Sequence, residues 1–444
     1  MTTFPIARRD WLKLAGSAAA SLVALPAGGE QPAARPRVAA VFTEFRRLSH
    51  AYHILGNAMG KYLFRGQWVD PGLDVVSFYA DQFPAGDMAR DVSQKFKVPL
   101  FKSIDEALCV GGRELAVDAV LLIGEHGRYP ANELGQRMYP RKEFFDQIVA
   151  VQRRAGRFVP VFNDKHLSYR WDWAKAMYDE AQRLKMPLMA GSSVPLAQRM
   201  PPLELPPDAA VSEAVSIHGG GVEGYDFHAL EVMQSLIEAR AGGETGVSRV
   251  EFLAGEALQR AAAEGRWPTA LVAAAMRAER DAKMPRRSIT GRPPRPFPDE
   301  PFAPRHAILV TYNDGTRGTV LTIGRSDERW NFACQLRGDT KPLATSFYGG
   351  PWGNWNLFGA LGGAIAHFFR TGKAPYPVER TLLVSGILDA AMHSRHAGGQ
   401  PQETPHLKLK YAAQDFRAFC ETGESWQVLT TDSIPPQDFQ PGSG

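Results

Sequence analysis

Short apolar runs and longer stretches of helical period alternate through the first 190 residues. The apolar runs predict strands over 37–42, 73–79, 99–101, 117–123, 158–162 and 187–191. Between them, helical patterns cover 49–63, 89–96, 103–108, 143–154 and 171–184. Ser103 with Glu106 three positions on is a helix-start signature. Strands alternating with helices at this spacing predict a doubly wound parallel α/β sheet.

From Pro201 the composition turns proline-rich and the pattern changes. Strands are expected over 211–218, 248–254, 306–312, 319–323, 330–336, 342–348 and 406–412. Asp314-Gly315 between two of them is a hairpin signal. Helices are expected over 225–241, over 256–284 with a break near Trp267-Pro268, and over 355–369 and 378–396. Residues 286–304 read as a surface excursion rich in proline and arginine. The second half is therefore an α+β unit with a mainly antiparallel sheet. The expected division is 37–195, 196–412 and a C-terminal tail over 413–444, loose from about Pro435.

The start of the chain has another character. Arg8-Arg9-Asp10-Trp11-Leu12-Lys13 precedes an apolar run over 14–25 and then Pro26-Ala27-Gly28. A basic start, a short apolar core and small residues describe an export signal over 1–28, with the paired arginines of the twin-arginine type. The run is shorter than the roughly 20 residues that span a bilayer, so no stable membrane insertion is expected after its removal; an uncleaved anchor is the alternative. Residues 29–36 read as a linker, and a periplasmic or otherwise exported protein is expected. The 444 residues carry a net charge of +4, of which Arg8, Arg9 and Lys13 against Asp10 account for +2. No arginine stripe interleaved with aromatics appears, so nucleic acid is not an expected partner. Three scattered cysteines imply neither a disulfide framework nor a cysteine metal site.

Candidate chemistry gathers at the ends of the first set of strands, where open parallel sheets bind ligands. The strand ending at Phe162 runs into Asn163, Asp164, Lys165 and His166. A lysine and a histidine there are candidates for chemistry; a solvated loop fits the spacing equally. After Ile123 comes Gly124-Glu125-His126-Gly127-Arg128-Tyr129-Pro130, followed by Gln136, Tyr139 and Arg141. These groups suit a hydroxylated ligand, and a structured surface loop is the alternative. The turn after the first strand, Thr43 to His50, contains no glycine, so it lacks the G-x-G-x-x-G of a dinucleotide site. Glu44 there repels a phosphate, while Arg46 and Arg47 attract one. Asp81 after the second strand stands where an acidic ribose ligand is expected, or is simply part of a turn. In the second half, Gly219-Gly220-Gly221 precedes Asp226, His228 and Glu231. His228 and Glu231 are three apart on one helical face. A carboxylate so placed orients an imidazole, and a structural pair fits as well.

These motifs resemble the glucose–fructose oxidoreductase / inositol dehydrogenase / MocA family over roughly 37–412. Lys165 falls where the family has the lysine of Glu-Lys-Pro, with Asp164 and His166 as its neighbours. Gly219–Gly221 with His228 and Glu231 falls where the family has a glycine-rich turn, a histidine and an acid. Phe368-Phe369-Arg370-Thr371-Gly372 and the following residues are similar to its late helices. Gly224 stands where the family commonly has an aspartate.

The resemblance implies a Rossmann-like domain followed by a domain with a large open sheet, a homo-oligomer through that sheet, and hydride transfer between a carbohydrate hydroxyl and NAD or NADP. It implies Lys165, His228 and Glu231 as catalytic residues, with Asp226 as the alternative to Glu231 for orienting His228. Thr43, Arg46, Asp81, Glu125 and His126 are expected to hold the cofactor, and Tyr129, Asn163 and His166 the sugar. A nucleotide-free lyase or hydratase, helped by a divalent ion on some of Glu125, His126, Asp164, His166 and His228, is a second reading. A non-catalytic sugar-binding protein is a third.

Overall fold

A computed structural model describes residues 34–287, 303–434 and 439. The expected export signal, most of the linker, and most of the 286–304 excursion lie outside the described residues. The first strands and helices are β1 (Arg37–Phe42), α1 (His50–Met59), the hairpin β2 (Tyr62–Phe64) and β3 (Gln67–Val69), β4 (Asp74–Ala80), α2 (Ala89–Phe96), β5 (Leu100–Phe101), α3 (Ile104–Leu108), β6 (Ala119–Ile123), α4 (Arg141–Ala155), β7 (Val161–Asp164), α5 (Trp171–Leu184) and β8 (Leu188–Gly191). Six of these strands form a wholly parallel sheet in the order β5-β4-β1-β6-β7-β8. The order reverses between β1 and β6. That reversal opens a crevice at the carboxyl ends of the two strands.

The expected helix over 49–63 stops at Met59, and the β2–β3 hairpin follows. Its turn is Arg65-Gly66, both at positive φ (47° and 77°), the backbone a two-residue hairpin loop demands. The strand expected over 158–162 begins instead after Pro160, which has no N–H to give to a ladder. It therefore carries Asn163 and Asp164 inside the sheet, paired with Ala190 and Gly191.

The remaining elements are β9 (Gln198–Met200), β10 (Val211–His218), α6 (Gly224–Ile237), β11 (Val247–Ala254), α7 (Gly255–Ala263), α8 (Thr269–Ala282), β12 (Pro304–Tyr312), β13 (Arg317–Ile323), β14 (Trp330–Leu336), β15 (Leu343–Tyr348), α9 (Asn354–Leu357), α10 (Gly359–Thr371), α11 (Val378–His396), β16 (Gln402–Glu403) and α12 (Ser425–Val428). Eight strands form the second sheet, in the order β16-β11-β12-β13-β10-β14-β15-β9. Every pairing is antiparallel except β10 with β13. The 406–412 segment is not a strand: Pro405–Leu407 is a 3-10 turn, and the pairing falls to Gln402 and Glu403. Its backbone runs against Gly246, where a Cβ would lie 2.1 Å from the Leu407 carbonyl oxygen.

The described residues from Arg35 onward pack as one unit. One face of the second sheet carries α6 and α11. Its other face is covered by α7 and α8, through Val215, Ile217, Leu253, Leu271, Met276 and Leu321. Helix α11 is buried nearly all round, as a helix between two layers must be. It touches α5, α6, β8 and β11 and so joins both sheets. Its Arg380 makes a two-point pair with Glu238 at the end of α6, at 2.5 and 2.9 Å, with both side chains about 1% exposed. Thr381 donates to Ala190 O of β8, and Ser385 Oγ accepts from Leu167 N. Exchange of Arg380 for methionine leaves Glu238 buried without its counter-charge. A loss of about 3–5 kcal/mol is expected, read as a lower urea midpoint than wild type.

Candidate functional site

The crevice between the ends of β1 and β6 holds a cleft of about 600 Å³. Arg46 from the β1–α1 turn and His126, Gly127, Arg128, Tyr129, Pro130, Arg137 and Tyr139 from the segment after β6 line it. Beside it lies a buried cluster of ionisable groups. Glu125 is its centre: one carboxylate oxygen lies 2.6 Å from Arg141, the other 3.0 Å from Lys165 Nζ. Burial alone would raise the Glu125 pKa, but the two cations hold it well below the usual carboxylate range. Gly124 makes this possible, since a Cβ there would sit 2.6 Å from Arg141 Cγ.

Lys165 follows β7 in a backbone turn at φ +64°, its N–H donating to Gly191 O. Asn163 and His166 shape that turn from behind. Asn163 Nδ2 donates to the carbonyls of Asp164 and His166. The buried His166 ring packs on Phe227. Neither is among the residues that line the cleft. Asp164 Oδ2 accepts from His50 Nδ1 at 2.7 Å. The His50 ring lies 5.3 Å from that of His126, 6.5 Å from that of His228 and 5.0 Å from Phe358. Lys165 also faces α6: a Cβ on Gly224 would lie 3.7 Å from its Nζ. Lys165 from the first sheet and His228 from α6 thus meet in one cluster.

His228 is oriented by a group that sequence spacing did not single out. Its Nδ1 lies 2.6 Å from Ser192 Oγ, just beyond β8. Burial first, then the charge of Lys165, holds His228 well below the ordinary imidazole pKa. The same two causes act on His126, together with His50 and Arg46, and bring it to about 3. Glu231 is not the direct partner of His228. It bonds Thr381 Oγ1 and the Ser192 backbone, and burial raises it to about 7. Asp226 is not a partner of His228 either. Positions two apart on a helix differ by about 200°, and Asp226 faces the second sheet. There it bonds His218 and His306 at 2.9 and 2.7 Å, with Thr322 Oγ1 within 2.9 Å of both rings. Gly220 N–H donates to His218 Nδ1, so that ring keeps its proton on Nε2, facing Asp226. The ligand atoms of His218, Asp226 and His306 all lie within 4.8 Å of one another, close enough to share one ion.

The residues expected to hold a cofactor divide. Thr43 is buried and donates to Glu125 O, fixing the two loops together. Arg46 stands in the cleft wall, bridging Glu44 and His126. Asp81 accepts from the hydroxyls of Tyr79 and Tyr129. The glycine-free turn has its Phe45 N–H bonded to Asp87 and the Tyr52 N–H bonded to Ser49 Oγ, so it offers little backbone to a diphosphate. Three guanidinium groups, Arg46, Arg128 and Arg137, line the adjoining cleft instead. The residues present fit a dinucleotide through side chains rather than through a backbone cradle. Spacing also left out His50, Ser192 and Glu223. His50 carried a weak signal, as the first residue after a serine cap at a strand end.

No protein-family model and no curated protein sequence matches the chain. Solved structures do. GenD2 from gentamicin A biosynthesis, solved in complex with NAD, aligns over 84% of this chain and 98% of its own, at 14% identity and a TM-score of 0.51. A myo-inositol dehydrogenase from Corynebacterium glutamicum aligns over 83% and 98%, at 13% identity and a TM-score of 0.48. The chain shares the two-sheet fold of GenD2. At these identities the likeness is one of architecture. Among the described residues no helix is long and apolar enough to cross a membrane.

His53, stacked on Phe358 beside the cluster, is held at about 3 by burial and then by His50. Its unfolded value is near 6.5, so the unfolded chain binds the extra proton between these limits. Stability is therefore lost as pH falls from about 6.5 toward 3, at up to about 1.4 kcal/mol per pH unit for this group. Replacing His53 with leucine is expected to flatten the acid limb of a stability-against-pH curve by about one proton.

Proposed function

We propose that the protein is an exported oxidoreductase that moves a hydride between a hydroxyl carbon of a sugar or polyol and NAD(P). The observation that carries the reading is that Lys165, after β7, and His228, on α6, join one buried cluster beside the crevice where the strand order reverses. The fold shared with GenD2, a structure that holds NAD, supports it. Bound nicotinamide supplies the hydride acceptor. Arg46, Arg128 and Arg137 would face its diphosphate, and Tyr129 and Tyr139 offer rings to the cleft. The chain's own part is electrostatic. Lys165, anchored by Glu125, donates a hydrogen bond to the reacting oxygen and stabilises the negative charge that grows there. His228, neutral and fixed by Ser192, presents its remaining nitrogen to the same space for proton exchange.

A second reading is favoured by the engaged, glycine-free turn together with three imidazoles grouped on one side of Lys165. It is nucleotide-free proton transfer next to a carbonyl, with or without a divalent ion. Denaturing the purified protein and analysing what it releases separates the two. Stoichiometric nicotinamide supports the first; metal or nothing without nucleotide rejects it. On the first reading, Lys165→Ala should lower kcat with NAD and a polyol panel by about 100- to 1000-fold, the usual cost of one oxyanion donor. KM should stay within a few-fold. Unchanged turnover would remove Lys165 from the chemistry.

A further inference from the structure

Ten described residues other than glycine have positive φ, and three of them surround one site: His126, Lys165 and Glu223. Glu223 is the most constrained. Its backbone stands at φ 69°, ψ −73°, and Gly224 N–H closes a three-residue γ-turn on Val222 O at 3.0 Å. A turn of this hand is rare and strained. It is held from both sides. Asp226 Oδ2 accepts the Glu223 N–H at 2.8 Å, and Phe227 N–H donates to its carbonyl. Asp226 is itself locked by His218 and His306, so the buried knot under α6 fixes this turn.

The side chain is as unusual as the backbone. One carboxylate oxygen, Oε2, accepts from Arg137 N, in the segment that walls the cleft. The other, Oε1, is buried with no hydrogen-bond partner. Strained backbone costs about 1–3 kcal/mol, and a buried polar atom without a partner costs a similar amount. Both fall on one residue, beside the Lys165–Glu125–Arg141 charges. Glu223 and Asp226 also form a reciprocal capping box at the start of α6, each side chain accepting from the other's backbone N–H; the strained backbone and the bond to Arg137 come in addition to that cap.

We infer that Glu223 is the first proton acceptor of the site, its buried, unpaired Oε1 taking the hydroxyl proton of the substrate oxygen that Lys165 holds, before the exchange assigned to His228. The inference rests on the hydride-transfer reading above. In that step the O–H bond breaks and its proton passes to Oε1. The O–H electron pair becomes the second bond of the new carbonyl, while the neighbouring hydrogen leaves as hydride to the nicotinamide. Gly224, where a side chain would meet Lys165, leaves room for the carboxylate to come from the preceding position.

Burial, partly offset by the Arg137 N–H, Arg141 and Lys165 and reinforced by Glu125, brings Glu223 to about 7. Asp226 faces its backbone N–H. As a base Glu223 works ionised, so kcat/KM should rise with pH through about 7, and Glu223→Gln should lose that limb. With NAD and myo-inositol, scyllo-inositol or D-glucose, Glu223→Gln should lower kcat by about 100-fold or more with KM within about threefold, and Glu223→Asp should recover part of it. Glu223→Gly, which accepts positive φ freely, should melt no lower than wild type. Turnover of Glu223→Gln within about threefold of wild type overturns the inference, as does a Glu223→Gly protein melting more than about 5 °C below it. If the wild-type protein turns over none of these polyols, the hydride reading falls. The melting comparison still decides then whether Glu223 is held in strain for function or serves the fold.

Discussion

A carboxylate buried between two cations sets the geometry of the site. Glu125 leaves water only because Arg141 and Lys165 meet its two oxygens, and those cations are buried only because Glu125 meets them. The triad therefore fixes three elements at once: the loop after β6, the start of α4 and the turn after β7. Thr43 extends the constraint to β1 by donating to the Glu125 carbonyl. An amine held in this way is preorganised, so it need not be brought into place when charge develops on a bound oxygen.

The second constraint is the helix pair behind the cluster. Helix α11 lies between the sheets and binds each through buried polar contacts, Thr381 on β8 and Arg380 on the end of α6. That places the start of α6 against the ends of β7 and β8. Ser192 then holds two residues of α6, its hydroxyl on His228 and its backbone N–H on Glu231. The Asp226 knot secures the first turn of α6 from the opposite face. The strained Glu223 turn is stable because these contacts over-determine it.

Much of the architecture was legible because burial imposes period. Strands of the parallel sheet are apolar on both faces, so each appears as a short continuous run. The failures lie where one local rule overrode period. Pro160 moved the start of β7 and drew Asn163 and Asp164 into the ladder. Arg65-Gly66 turned the end of a helical pattern into a hairpin. Pro405 replaced an alternating run with a 3-10 turn. In the site, spacing correctly flagged the polar strand ends, since charged residues there break an otherwise apolar pattern. It misjudged partners. His228, Glu231 and Asp226 lie within six residues, yet they bond to β8, α11 and the second sheet respectively.

The two-layer succession, the crevice-side positions of Glu125, His126 and Lys165, and the lack of glycine in the turn after β1 follow from local periodicity and residue type. Packing alone settles which oxygen faces which nitrogen, that Asn163 and His166 stand behind Lys165, and that His50, Ser192 and Glu223 join the cluster. Such contacts span tens to hundreds of positions, from His50 to Asp164 and from Ser192 to His228. They depend on how helices turn about their axes once the core is packed, and no period along the chain encodes that rotation.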